Sequence, residues 1–244
     1  MGTPNSDDQF LQLHDLISGS SNVADFLAEL SAVAASTLSD TAGVLIECGV
    51  TLRRRKRSAT IAGSSERAAL LDKLEQALGD GPCITALNAM KPVVLPDVGT
   101  DTRWPDYQKV LAENGCRSVL GVPLALDENQ SAALNFFASE PHVFAPNVIS
   151  RAEGFADLAG RALRLALRIA DAQTLADDLR AAMANRTTID LACGVIMAQN
   201  RCSQEEAMAL LAKASSHRNQ KLRDLAAGVL GRVSDGAVTT HFDP

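Results

Sequence analysis

The chain has 244 residues, which suits two domains better than one. Its hydrophobic content of 46% with only 4% aromatic side chains describes an alanine- and leucine-rich, helix-heavy protein that still buries a core. A formal charge of −6 excludes a nucleic-acid coat protein, so contact with nucleic acid has to be local to a patch.

Taken in chain order, residues 1 to 6 read as disordered, and Phe10, Leu13, Leu16 and Ile17 then make a short amphipathic helix. The polar, acidic start is no signal peptide and no run of about eighteen apolar residues follows it, so the chain reads as cytoplasmic. Val23, Phe26, Leu27, Leu30 and Val33 recur at helical spacing as far as Leu38. The continuous apolar run from Ala42 to Val50 predicts a strand covered on both faces. The cation run from Arg53 to Arg57 reads as a solvated hairpin turn rather than as a patch that binds RNA or anions.

Glu66 to Leu78 returns to helical spacing through Leu70, Leu71, Leu74 and Leu78. Gly79-Asp80-Gly81-Pro82-Cys83 is a turn into a short helix, and Pro92 to Asp97 holds a short strand. Arg103-Trp104-Pro105 leads a helix through Tyr107, Val110 and Leu111, and two strands follow, Ser118 to Leu126 and Ala132 to Ser139, joined at Asp127 to Gln130. Helices around a paired hairpin give an α+β domain on one antiparallel sheet. Beyond Val148, Phe155, Leu158, Ala162, Leu165, Ile169, Ala172, Ala176, Leu179, Met183 and Arg186 alternate three and four apart, a heptad seam on one long helix. Such a narrow apolar stripe needs a partner: a second copy of the chain in a parallel coiled coil is the favoured one, and the chain's own N-terminal domain is the alternative.

The last stretch divides into three helix-length pieces. Ile189, Ala192, Cys193 and Ile196 form the first stripe, and Ser203 with Glu206 is a capping box opening a helix that buries Ala207, Leu210, Leu211 and Ala214. The third starts near Gln220, with Leu222, Leu225, Ala226 and Val229 on one face. Between 186 and 233 seven cations face four anions, in a chain that is otherwise acidic. The tail from Ser234 is polar and reads as disordered.

Two resemblances follow from these residues. Arg186, Ile189, the Ala192/Gly194/Ile196/Met197 run, Glu206-Ala207, Ser215 and above all Asn219-Gln220-Lys221-Leu222-Arg223-Asp224-Leu225-Ala226 resemble the ANTAR domain, with departures at Cys193, Met208 and Ala212. That resemblance implies a three-helix module that binds hairpin loops of nascent transcripts and prevents transcription termination. Arg186, Met197, Arg218, Asn219, Lys221 and Arg223 are then the candidate RNA contacts, phosphates meeting the cations and unpaired bases meeting flat side chains.

The Gly-Asp-Gly-Pro-Cys turn, Val94-Leu95-Pro96-Asp97, Arg103-Trp104-Pro105, Gly115-Cys116-Arg117-Ser118 and Ala133-Leu134-Asn135-Phe136, in that order, resemble a GAF domain. This implies a sensor whose cofactor is open, a small-molecule ligand being the candidate, with Trp104, Tyr107 and Phe136 as candidate pocket residues. Trp104, the only tryptophan, reads as core ahead of a ligand platform.

The chain therefore divides into a GAF sensor at 7–147, a coiled-coil linker helix at 148–185, an ANTAR module at 186–233 and a disordered tail at 234–244. The expected partners are RNA and a second copy of the chain, with no membrane. Cys48, Cys83, Cys116, Cys193 and Cys202 have neither metal-ligand spacing nor a disulfide framework. Cys83 and Cys116 nevertheless leave a thiol sensor or reductase as one alternative. A DNA-binding factor is the other, because three short helices also fit a helix-turn-helix.

Overall fold

The structure is a computed structural model and describes residues 22–54, 59–127 and 130–232. The expected helix through Phe10 to Ile17, the cations Arg55, Lys56 and Arg57, and the tail lie outside the described residues. The chain divides into two compact units, one up to Ala170 and one from Asp171.

In the first unit, helix α1 (Val23–Ala42) starts where Asn22 Oδ1 accepts from the amides of Ala24 and Asp25 at 2.9 and 3.0 Å. It ends at Gly43, φ 72°, a left-handed position that glycine adopts without steric cost. The helix thus consumes Ala42, and strand β1 runs from Ile46 to Arg54, later than the apolar run predicts. Strand β2 (Thr60–Gly63), helix α2 (Glu66–Leu78), helix α3 (Pro82–Ala89), strand β3 (Val93–Leu95), helix α4 (Pro105–Glu113), strand β4 (Ser118–Leu124) and strand β5 (Gln130–Ala138) follow. All pairings are antiparallel, in the order β2-β1-β5-β4-β3.

Helix α5 (Pro146–Asn200) is one element of 55 residues. Its first turns supply Phe155, Ala159 and Leu163, which pack with Phe26, Leu27 and Leu30 of α1 over Cys48, Val50, Leu134 and Phe136 of the sheet. Fully burying each large apolar side chain contributes roughly 1.5–3 kcal/mol, so this layer fixes α1 and the start of α5 to one sheet face. The beginning of the heptad seam is therefore covered by the chain's own sheet, while Leu165 and Ile169 remain 47% and 41% exposed. Helices α2, α3 and α4 cover the opposite face through Ala68, Leu71, Cys83, Tyr107 and Leu111.

In the second unit, the end of α5, helix α6 (Gln204–Arg218) and helix α7 (Leu222–Gly231) close a small core of Ala192, Cys193, Ala207, Leu211, Leu225, Ala226 and Leu230. Leu210 departs from its expected place inside and is 49% exposed. In α5, Leu179 and Met183 are both 56% exposed.

Candidate functional site

The C-terminal trio is positioned by its turns. Ser203 Oγ accepts from the Glu206 amide at 3.2 Å, and Glu206 Oε2 accepts from the Ser203 amide at 2.8 Å, so the predicted capping box starts α6. Asn219 ends α6 in the left-handed region, φ 51°, which asparagine tolerates better than most side chains. Ser215 Oγ donates to the Gln220 carbonyl at 2.6 Å and pins the turn. Lys221 follows as the residue before α7, and no side chain caps the first turn of that helix. The uncapped amides carry the positive end of the helix dipole next to exposed Arg218, Asn219, Lys221 and Arg223.

Beside this turn lies a cleft of about 530 Å³. Its floor includes Ile196, Leu211 and Leu225, and its rim includes Asn200, Arg218 and Gln220. Arg223 Nε donates to Asp224 Oδ1 at 3.1 Å, a pair in which both side chains are about half exposed. Such a pair is worth well under about 1 kcal/mol and leaves Arg223 free to exchange carboxylate for phosphate. The turn thus brings together four of the six expected contacts. Arg186 stands elsewhere on α5, 3.7 Å from Asp190 and 86% exposed. Met197 is half-buried and packs against the core of the trio.

The three expected pocket residues of the first unit are not brought together. Alternation along β5 turns Phe136 into the layer under α1 and α5 and Phe137 to the other face. Trp104 and Tyr107 are on the α2/α4 side, Trp104 beneath the Arg103 guanidinium at 4.5 Å. With Leu78 and Asp80 among its other walls, the space they line is about 70 Å³, far below the several hundred Å³ of ordinary ligand pockets.

The centre of that face holds residues that sequence reasoning missed. Asp72 and Glu75, one turn apart on α2, are fully buried with Cys83 of α3, Thr51 of β1 and Asn135 of β5. Asp72 Oδ2 accepts from Thr51 Oγ1 at 2.7 Å, and Asp72 Oδ1 from Asn135 Nδ2 at 2.8 Å. Glu75 Oε1 accepts from the Cys83 and Ile84 amides at 2.6 and 3.3 Å, while Glu75 Oε2 has no partner. Close approach is possible because Gly81 and Gly121 lack side chains. A Cβ would lie 2.3 Å from Glu75 Oε1 at the first and 3.0 Å from the Pro82 carbonyl at the second.

Burial raises Asp72 to about 6, against the lowering by its hydrogen bonds with Thr51, Asn135 and Gln76. Burial first, and the charge of Asp72 second, raise Glu75 to about 8. At neutral pH Asp72 is ionised and Glu75 keeps its proton. Burial also pushes the Cys83 thiol well above its ordinary range and Cys116 to about 11. Thiolate is the nucleophile, so neither cysteine has the character of a reactive thiol. A sequence signal existed: Ala68, Asp72 and Glu75 share one side of α2, and Asn135 interrupts an otherwise apolar strand.

Comparison with known proteins agrees with both units. The GAF domain model matches residues 23–164, more than half of the chain, and the ANTAR domain model matches 177–230. No curated protein matches. Among solved structures, the chain is similar to the GAF domain of a phosphoenolpyruvate-protein phosphotransferase from Coxiella burnetii, at 16% identity and a TM-score of 0.48, over 72% of this chain and 99% of that one. It is also similar to an N-acylhomoserine lactone dependent LuxR family transcription factor from Burkholderia cenocepacia, at 16% and 0.47, over 65% and 96%. A free methionine-R-sulfoxide reductase from Neisseria meningitidis is similar at 15% and 0.46, over 69% and 98%. Values this low carry no assignment of ligand or reaction. Together the antiparallel sheet with helices on both faces and the two matched models identify the chain as a member of the GAF family that carries a C-terminal ANTAR domain, the architecture of a GAF-ANTAR regulator.

Proposed function

We propose that the protein is a transcription antiterminator whose C-terminal module, 186–233, grips hairpin loops of nascent RNA under control of a signal received by the GAF domain. The ANTAR match over 177–230 carries this reading. The turn at 218–223 supports it, because it gathers three exposed cations and Asn219 at an uncapped helix start beside a cleft. Phosphates meet the cations and helix amides, and an unpaired base meets the cleft floor, with the Arg218 plane taking the stacking role that aromatics have elsewhere. A protein that grips nascent transcripts works in the cytoplasm, and that is the location this reading implies. No helix among the described residues is long and apolar enough to cross a membrane.

We further propose that two copies associate through the 148–185 segment of α5. Leu165, Ile169, Leu179 and Met183 support this, since they sit at heptad positions and are all more than two-fifths exposed. Two linked modules raise affinity for paired hairpins through effective concentration.

The test is binding of fluorescent paired-hairpin RNA by wild type, Lys221→Ala and Arg223→Ala at several salt concentrations. Each variant is expected to weaken binding and to reduce the salt slope by about 0.7–0.9 for each lost phosphate contact. Unchanged affinity and slope in both variants would refute the assignment of this face, and preference for duplex DNA over hairpin RNA would replace the reading with a DNA-binding one.

A further inference from the structure

The buried polar cluster beneath α2 is not used by the RNA reading and is argued independently of it. It has the donors of a metal site. One ligand atom from each of Asp72, Glu75 and Cys83 lies within 4.8 Å of the other two, and all three residues are buried. Two further facts point to a missing electrophile. Asn135 Oδ1 is a buried acceptor without a hydrogen-bond partner, and Glu75 Oε2, the oxygen left to carry the proton of the neutral acid, has none either. The Asn135 amide cannot simply be reversed to remedy this, because its Nδ2 donates to Asp72 Oδ1 at 2.8 Å and reversal would set two oxygens against each other.

Among the described residues no cation forms an ion pair with either carboxylate. Arg53 donates instead to Gln76 Oε1, and Gln76 Nε2 is 3.9 Å from Cys83 Sγ. Leaving each of these buried polar atoms unmet costs about 1–3 kcal/mol. A dication placed among them would meet one oxygen each of Asp72 and Glu75 and Cys83 Sγ, with Asn135, hydrogen-bonded to Asp72, beside them.

We infer that Asp72, Glu75 and Cys83, with Asn135 beside them, form a site for a borderline-soft transition-metal dication of the Zn²⁺ or Fe²⁺ class, inside the GAF domain. Metal–sulfur distances near 2.3 Å and metal–oxygen distances near 2.0–2.2 Å put the ligand atoms of a tetrahedral ion about 3.3–3.6 Å apart. Donors that lie within 4.8 Å of one another reach that geometry by closing on the ion by up to about 1.5 Å through side-chain rotation. The thiolate and the small number of oxygens disfavour Ca²⁺ and Mg²⁺, which take six or more oxygen ligands. Binding releases the proton of Glu75 and that of the Cys83 thiol, so the ion and its ligands carry one net negative charge.

The full-length protein, stripped with chelator, is given Zn²⁺ or Co²⁺ both when folded and during refolding, so that slow entry to a closed site does not hide it. The expected results are one equivalent of zinc by elemental analysis and a near-ultraviolet thiolate-to-cobalt charge-transfer band. Cys83→Ser should remove that band, and Glu75→Gln should weaken zinc binding more than about tenfold. Cys116→Ser, a buried thiol outside the cluster, should keep both. Circular dichroism confirms that each variant is folded. Failure to take up one equivalent in either loading, or a cobalt band that survives Cys83→Ser, would overturn the site.

Discussion

Replacing Glu75 by glutamine tests the electrostatics of the sensor core. Glu75 is fully buried, and its carboxyl is raised from 4.5 to about 8. In the folded protein without metal it holds its proton up to about that pH, whereas in the unfolded chain it ionises near 4.5. Its stabilising contribution is therefore complete below the unfolded value and is lost as pH rises through the folded one. Each pH unit in that window costs about 1.4 kcal/mol, a total on the order of 4–5 kcal/mol. At about 2–4 °C per kcal/mol for a domain of this size, the wild-type midpoint should fall by on the order of 10 °C between pH 5 and pH 9 from this group alone.

Glutamine keeps the acceptor for the Cys83 and Ile84 amides and has no proton to lose. The assay is thermal unfolding followed by circular dichroism in chelator, from pH 5 to pH 9, with the variant curve subtracted. Asp72, raised to about 6, contributes a slope below that pH in both proteins and largely cancels. Wild type should match or exceed the variant at pH 5 and fall clearly below it at pH 9. Parallel curves over the whole range would refute the claim that Glu75 is buried as a neutral acid.

Other predictions concern packing and assembly. Leu211→Ala, in a trio core of only seven buried residues, should cost about 2–5 kcal/mol and abolish RNA binding, with sheet-region hydrogen exchange unchanged. Ser203→Ala removes half of the capping box and should destabilise α6 by about 1 kcal/mol, read as faster exchange of its first-turn amides. Gly121→Ala sets a Cβ 3.0 Å from the Pro82 carbonyl and 3.1 Å from Cys83 Cα, so α3 must move; a loss of about 1–3 kcal/mol in urea unfolding is expected. Leu179→Asp with Met183→Asp should shift the protein from dimer to monomer in sedimentation velocity, and a mass unchanged at the wild-type value would remove the proposed interface.

Local rules read well where one element decides its own outcome. The helix from Glu66 to Leu78, the capping box at Ser203 and Glu206, and the short helix after Pro82 follow from spacing and from backbone groups satisfied within a turn. Rotation of α2 was not legible. Its leucine stripe puts Leu70 and Leu78 inside, yet they are 45% and 46% exposed while Asp72 and Glu75 face the sheet. Helical periodicity ranks side chains by hydropathy, and here buried amide and hydroxyl donors on neighbouring elements make the acidic face the one that is covered. The seam of α5 shows the same limit, since spacing marks an apolar stripe without saying how much of it a sheet within the same chain will cover.

By itself the sequence determined the α+β class, the order of sensor and C-terminal module, and the clustering of cations within 218–223, because these depend on residue types and on spacings within a few turns. Only the tertiary structure decided that Phe136 and Tyr107 lie on opposite sheet faces, and that Asp72, Glu75, Cys83 and Asn135 converge. Those outcomes depend on strand register and on which helix lies over which strand. Such relations are set by long-range pairing, which no short window of residues contains.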